Sequence, residues 1–126
     1  MVMPAEKARK LSENRLSWWE RWRNRRHKLN AWSIGVENAM NEMAKNVEKA
    51  TKNNEFDASI VLSRSNLYAD KMGGYDVDKL REEEQKDIIE SVVRATENQL
   101  RSKGYKIEQT TTVRFGEKIY YIIAKW

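Results

Sequence analysis

Between residues 78 and 103, Leu80, Ile88, Ile89, Val92, Val93 and Leu100 recur at helical spacing with charged residues between them, which predicts an amphipathic helix with one buried stripe. Asp78 suits its N-cap, and Glu82, Glu83 and Glu84 fall where the helix dipole favours negative charge. Gly104 suits the left-handed position that ends such a helix, with Tyr105 placed to touch Leu100. The fold is organised around this helix.

Upstream, Leu11, Trp18, Trp22, Leu29, Trp32, Val36, Met40, Met43, Val47 and Ala50 step by threes, fours and sevens. Pro4 suits the start of that helical pattern, and 52–54 ends it. One long helix fits, as do two helices with a bend at Ser33-Ile34-Gly35; the weak point there favours two in near-continuation. Ser17 with Glu20 resembles a capping box and offers a second start. Phe56, Ala58, Ile60 and Leu62 then alternate with polar neighbours, the period of a strand with one buried face. Residues 64–75 read as a polar loop holding Gly73-Gly74.

The chain closes on two further strand patterns, 105–115 and 118–126. A type II′ turn at Gly116-Glu117 pairs Val113 with Tyr120, Thr111 with Ile122, Gln109 with Ala124 and Ile107 with Trp126, and sets Glu108 against Lys125. Ile119, Tyr121 and Ile123 make the second face of the last strand apolar too, so cover on both sides is expected, from the N-terminal helices or another chain. The fold class is α+β: an N-terminal helical arm (one bent helix or two), a short strand, a helix and a C-terminal β-hairpin, giving a three-stranded sheet with one helix packed on it. Residues 1–53 form the arm and 54–126 the β-α-β-β body.

Charge changes the picture in one place. Residues 1–30 carry nine Lys/Arg against three Glu, a net +6 in a chain of net +5, so any electrostatic partner is met there. The chain has no Cys, which excludes a disulfide framework and a thiolate zinc site. The longest apolar run, 119–124, is too short to span a bilayer, and the N-terminus lacks a signal-peptide layout, so a soluble, non-exported protein is expected, and the lack of Cys is compatible with a reducing cytosol or a virion.

The candidate chemistry is Trp18-Trp19-Glu20-Arg21-Trp22-Arg23-Asn24-Arg25-Arg26-His27-Lys28. On a helix Trp18, Trp22 and Arg25 share a face, beside a basic ridge of Arg21, Arg25 and Lys28. Trp18, Trp19, Trp22, Arg21, Arg25, Arg26 and Trp32 can anchor a protein partner, because Trp and Arg dominate desolvated interface centres. Arg21, Arg23, Arg25, Arg26 and Lys28 can instead meet nucleic-acid phosphates while Trp stacks on unpaired bases. The same pattern also fits an internal core stripe with a solvated back, or an interfacial membrane helix. His27 is the only histidine and reads as solvated or helix-packed rather than as a metal ligand. Asp76, Asp78 and Glu82–Glu84 resemble a magnesium cluster less than they do helix-end acids. No Ser has an evident base partner, and Gly73-Gly74 is not a phosphate loop. No enzyme activity, metal or cofactor is expected.

The order helix, Asn54-Glu55-Phe56, short strand, then a helix ending Leu100-Arg101-Ser102-Lys103-Gly104-Tyr105-Lys106-Ile107, then a hairpin closing on Tyr121-Ile122-Ile123-Ala124-Lys125-Trp126, resembles small bacteriophage proteins over residues 44–126. The resemblance implies a non-enzymatic phage protein, built into the particle or acting on a host component. Its partners would be neighbouring virion subunits or a host protein, with nucleic acid and a homo-oligomer as further possibilities. The basic Trp segment lies outside that pattern.

Overall fold

A computed structural model describes residues 2–68 and 74–126, with the side chains of 9–18 and Tyr75 outside the description. The elements are α1 (Ala5–Lys52), β1 (Asp57–Leu62), α2 (Arg64–Tyr68), α3 (Gly74–Asp78), α4 (Glu82–Ser102), β2 (Lys106–Arg114) and β3 (Glu117–Lys125). The architecture is α+β, with an antiparallel sheet ordered β1-β3-β2.

The N-terminal pattern is one unbroken helix rather than two. Gly35, the expected bend, is a point of close packing instead. Its missing side chain admits the Tyr68 ring and Val92 of α4, so a Cβ there would lie 2.5 Å from the Tyr68 hydroxyl and 2.8 Å from Val92 Cγ2. The buried Tyr68 hydroxyl donates to Ala31 O at 2.7 Å, and burial pushes its pKa well above the ordinary phenol value. Tight packing offsets the helix-weakening effect of glycine.

Ala31, Val36, Ala39, Met43 and Ala50 of α1 join Ile88, Ile89, Val92, Val93 and Leu100 of α4 in a core with Ala58, Ile60 and Leu62 of β1 and Tyr120, Ile122 and Ala124 of β3. The core therefore draws on both sides of residue 53, and two helices rather than one cover the sheet. Lys28 meets Glu84, and Gly35 meets Val92, so α1 and α4 run parallel. The other face of β3, with Ile119, Tyr121 and Ile123, is half-buried. The cover expected on that side is not supplied by the buried core of the described residues.

Three local expectations shift. Asp78 is not the N-cap of α4, because the chain first makes α3 and α4 begins at Glu82. The Asp78 carboxylate accepts from Arg64, while the Gln85 side chain staples the turn by donating to Val77 O at 2.9 Å and Leu80 O at 3.0 Å. Glu82, Glu83 and Glu84 do occupy the first turn. The loop at 64–75 holds the short helix α2 and the start of α3, while Gly73 lies outside the described residues. Phe56 precedes the strand and is exposed, since Asn54 turns the chain at φ +58° first.

The helix stop stands: Gly104 has φ +94°, Tyr105 N donates to Leu100 O at 3.2 Å, and Gly104 N donates to Arg101 O at 3.0 Å. The hairpin turn sits one residue earlier than expected. Phe115 (φ +52°) and Gly116 (φ +74°) form a type I′ turn closed by Arg114 opposite Glu117. Thr111 thus faces Tyr120, Gln109 faces Ile122 and Ile107 faces Ala124. The register moves by two residues and so keeps every side chain on its expected face. The opposite charges of Arg114 and Glu117 favour this closure over Phe115 facing Lys118. Lys125 still reaches Glu108, diagonally, at 2.7 Å.

Candidate docking surface on the N-terminal helix

The first buried residue of α1 among those described is Ala31, and described positions from Trp19 to Asn30 are exposed or half-buried. α4 begins only alongside Lys28, so the preceding part of α1 has no α4 to pack on. At roughly 1.5 Å per residue the stretch ahead of Ala31 is about 39 Å long. Helix continues through it because only its first residues meet a proline and nothing after Pro4 breaks the pattern.

Trp22 (49% exposed), Leu29 (63%) and Trp32 (37%) follow one another along a single flank of the helix. Val36, Met40 and Val47 continue that flank into the body, Val36 buried and the other two partly so. The apolar stripe thus outruns its core. By helical position, Arg21 and Arg25 run along one side of it, and Trp19 and Arg26 along the other. Trp19 (57% exposed) meets Trp22 edge-to-face at 6.3 Å, and the Arg26 guanidinium lies 5.7 Å from the Trp22 ring centre. Such pairing holds an indole in place without covering it.

Nearer the body the polar side chains of α1 are engaged. Lys28 Nζ pairs with Glu84 at 2.9 Å, His27 Nδ1 meets Asp76 Oδ1 at 2.8 Å, and Asn30 reaches the same oxygen at 3.5 Å. His27 is therefore a positioning contact between α1 and α3. Arg23 and Arg26 line an open groove of about 810 Å³ shared with Asp76, Arg81 and Glu84.

The structure thus brings Trp19, Trp22 and Arg26 into one cluster and sets Arg21 and Arg25 along its rim. Trp32 stands apart at the junction with the body, and Lys28 is committed to an ion pair. The Trp18 side chain lies outside the described residues. Asp76 and Arg81 were not legible as neighbours of the arm, because they join it from some fifty residues away, and nothing in a single sequence pairs them. Of the five acids weighed as a metal cluster, three face different bases: Asp76 faces His27, Asp78 faces Arg64 and Glu84 faces Lys28. Ser65 donates through its amide (3.0 Å) and hydroxyl (3.1 Å) to Glu117, tying the hairpin to α2. Among the described residues no helix is long and apolar enough to cross a membrane.

No family model, curated protein or solved structure matches this chain.

The Lys28–Glu84 pair makes a testable contribution. Hydrogen bonding to Lys28, opposed in part by desolvation, lowers the Glu84 pKa from its ordinary 4.5. A depressed carboxylate pKa stabilises the fold above the unfolded value, and that stability is lost as pH falls through the folded value. Lys28→Met should therefore flatten the acid limb of stability below about pH 4.5 and change it least there, as read by urea unfolding across pH. An acid limb as steep as the parent's would show that the pair contributes nothing.

Proposed function

We propose that this chain is a non-enzymatic interaction protein that docks on another protein through the Trp/Arg face of α1. The supporting observation is the apolar line Trp22–Leu29–Trp32, left exposed where its stripe outruns the core and edged by arginines. An apolar centre with a charged rim is the anatomy of protein interfaces, in which Trp and Arg carry most of the binding energy. Arg21, Arg23, Arg25 and Arg26 are distributed around the helix, whereas a phosphate-tracking surface gathers its cations on one face. The docking face already lies on a continuous helix, so it needs less ordering on binding than an unstructured segment would.

The resemblance of residues 44–126 to small phage proteins makes a neighbouring virion subunit the partner class to test first, with a host protein second. Trp19→Ala/Trp22→Ala should weaken that association by at least about 30-fold, because hot-spot indoles contribute about 2 kcal/mol or more. The same variant should keep the parent's unfolding midpoint. Binding to a single-stranded oligonucleotide should stay weak at low salt. The reading fails if the double variant unfolds the chain. It also fails if the protein binds the oligonucleotide with an affinity that falls steeply with salt and needs Arg21, Arg25 and Arg26.

A further inference from the structure

The two edges of the sheet are treated differently. β1 residues Ala58, Ile60 and Leu62 face even-numbered β3 residues, which leaves the backbone groups of Ser59 and Val61 pointing away from the sheet. Both outward carbonyls are taken: Ser59 O accepts from Asn46 of α1 at 2.8 Å, and Val61 O accepts from Asn66 of α2 at 3.3 Å. That edge is closed by two side-chain amides.

The β2 edge is open. A two-residue turn closed by Arg114 and Glu117 makes these a hydrogen-bonded pair, so even-numbered β2 residues bond to β3. Ile107, Gln109, Thr111 and Val113 therefore turn their amides and carbonyls outward. Among the described residues no hydrogen bond reaches those groups. The strand is nine residues long with no proline, which is the kind of edge that recruits another strand.

We propose that β2 pairs antiparallel with β2 of a second copy of this chain, with the two-fold axis at Thr111, joining two sheets into one of six strands. The charges select the partner and the register. With Thr111 on the axis, Glu108 faces Arg114 of the second copy, and the symmetry makes that pair twice. Thr110 faces Thr112, and on the other face Gln109 meets Val113, which is 66% exposed in the single chain. The outward groups of Thr111, Gln109 and Val113 then meet their own kind in hydrogen-bonding phase. Moving the axis to Thr110 would oppose Lys106 to Arg114, and moving it to Ile107 pairs Lys106 with Glu108 only over a shorter overlap. Glu108 spends one oxygen on Lys125, and the other is available to the arginine. This surface is separate from the Trp/Arg face of α1, so the pairing does not depend on the docking role.

Sedimentation of the full-length protein tests it. The parent should be a dimer, and Thr111→Pro, which removes an outward amide that the monomer fold does not use, should be a monomer with an unchanged circular-dichroism spectrum. Glu108→Arg and Arg114→Glu should each weaken self-association by about tenfold, because two attractive pairs become repulsive. Mixing those two variants should restore a heterodimer, since each supplies the charge the other lacks. That complementation remains decisive if Thr111→Pro fails to fold. A monomeric parent, a dimer indifferent to Thr111→Pro, or charge variants that do not rescue each other would overturn the proposal.

Discussion

Replacing Gly35 with valine is expected to destabilise the protein by about 3 kcal/mol, a large share of the roughly 5–15 kcal/mol that holds a domain of this size together. A Cβ at this position would lie inside contact distance of both the Tyr68 hydroxyl and Val92 Cγ2. Neither neighbour can give way cheaply. The Tyr68 hydroxyl is held by Ala31 O at 2.7 Å, and Val92 is fully buried on α4. Branching at Cβ adds a second clash, so either α1 and α4 separate or the tyrosine leaves its pocket. Gly35→Ala separates two opposing effects: helix propensity gains about 1 kcal/mol, and overpacking costs about 1–3 kcal/mol. A net loss of about 1 kcal/mol on urea unfolding is expected for alanine, and a gain would show that the helices do not touch there.

Met43→Ala is expected to cost about 3 kcal/mol, lowering the thermal midpoint by roughly 10 °C. Met43 is 1% exposed on the side of α1 that joins the core, so its removal leaves a cavity rather than a solvated notch. The contrast is with Trp22 on the same helix, where truncation to alanine should move stability by less than about 0.5 kcal/mol because half the ring is already in water. Denaturant titration of the two variants would read both quantities. Equal losses would mean that the projecting part of α1 is held by the body, which would remove the basis for its docking role.

These contrasts show how one stripe serves two purposes. Val36, Met43 and Ala50 and the indoles of Trp22 and Trp32 belong to a single periodic pattern, and periodicity alone does not distinguish the half that has a core beside it. The distinction comes from where α4 begins. Because α4 starts beside Lys28 and runs parallel to α1, everything ahead of that point lacks a helical neighbour of this kind.

Local pattern determined much of this protein. The period of Ile88, Val92 and Leu100, the alternation of Ala58, Ile60 and Leu62, and the Gly104-Tyr105 stop are each set by residues within a few positions of one another, and each stands. The gathering of tryptophans and arginines in one stretch was likewise legible, because charge and aromatic content need no partner to be read, whereas the exposure of the indoles was not. Tertiary structure decided the rest. Gly35 reads as a hinge until Tyr68 and Val92 arrive to fill its missing side chain, and Asp78 reads as a cap until Arg64 takes its carboxylate. The hairpin turn sits at Phe115-Gly116 rather than one residue later, with Arg114 opposite Glu117. For Gly35 and Asp78 the deciding contact joins groups that no local pattern pairs, and packing energy exceeds the fraction of a kilocalorie by which neighbouring residues prefer one conformation over another; the turn rests instead on a cross-strand pair only three residues apart.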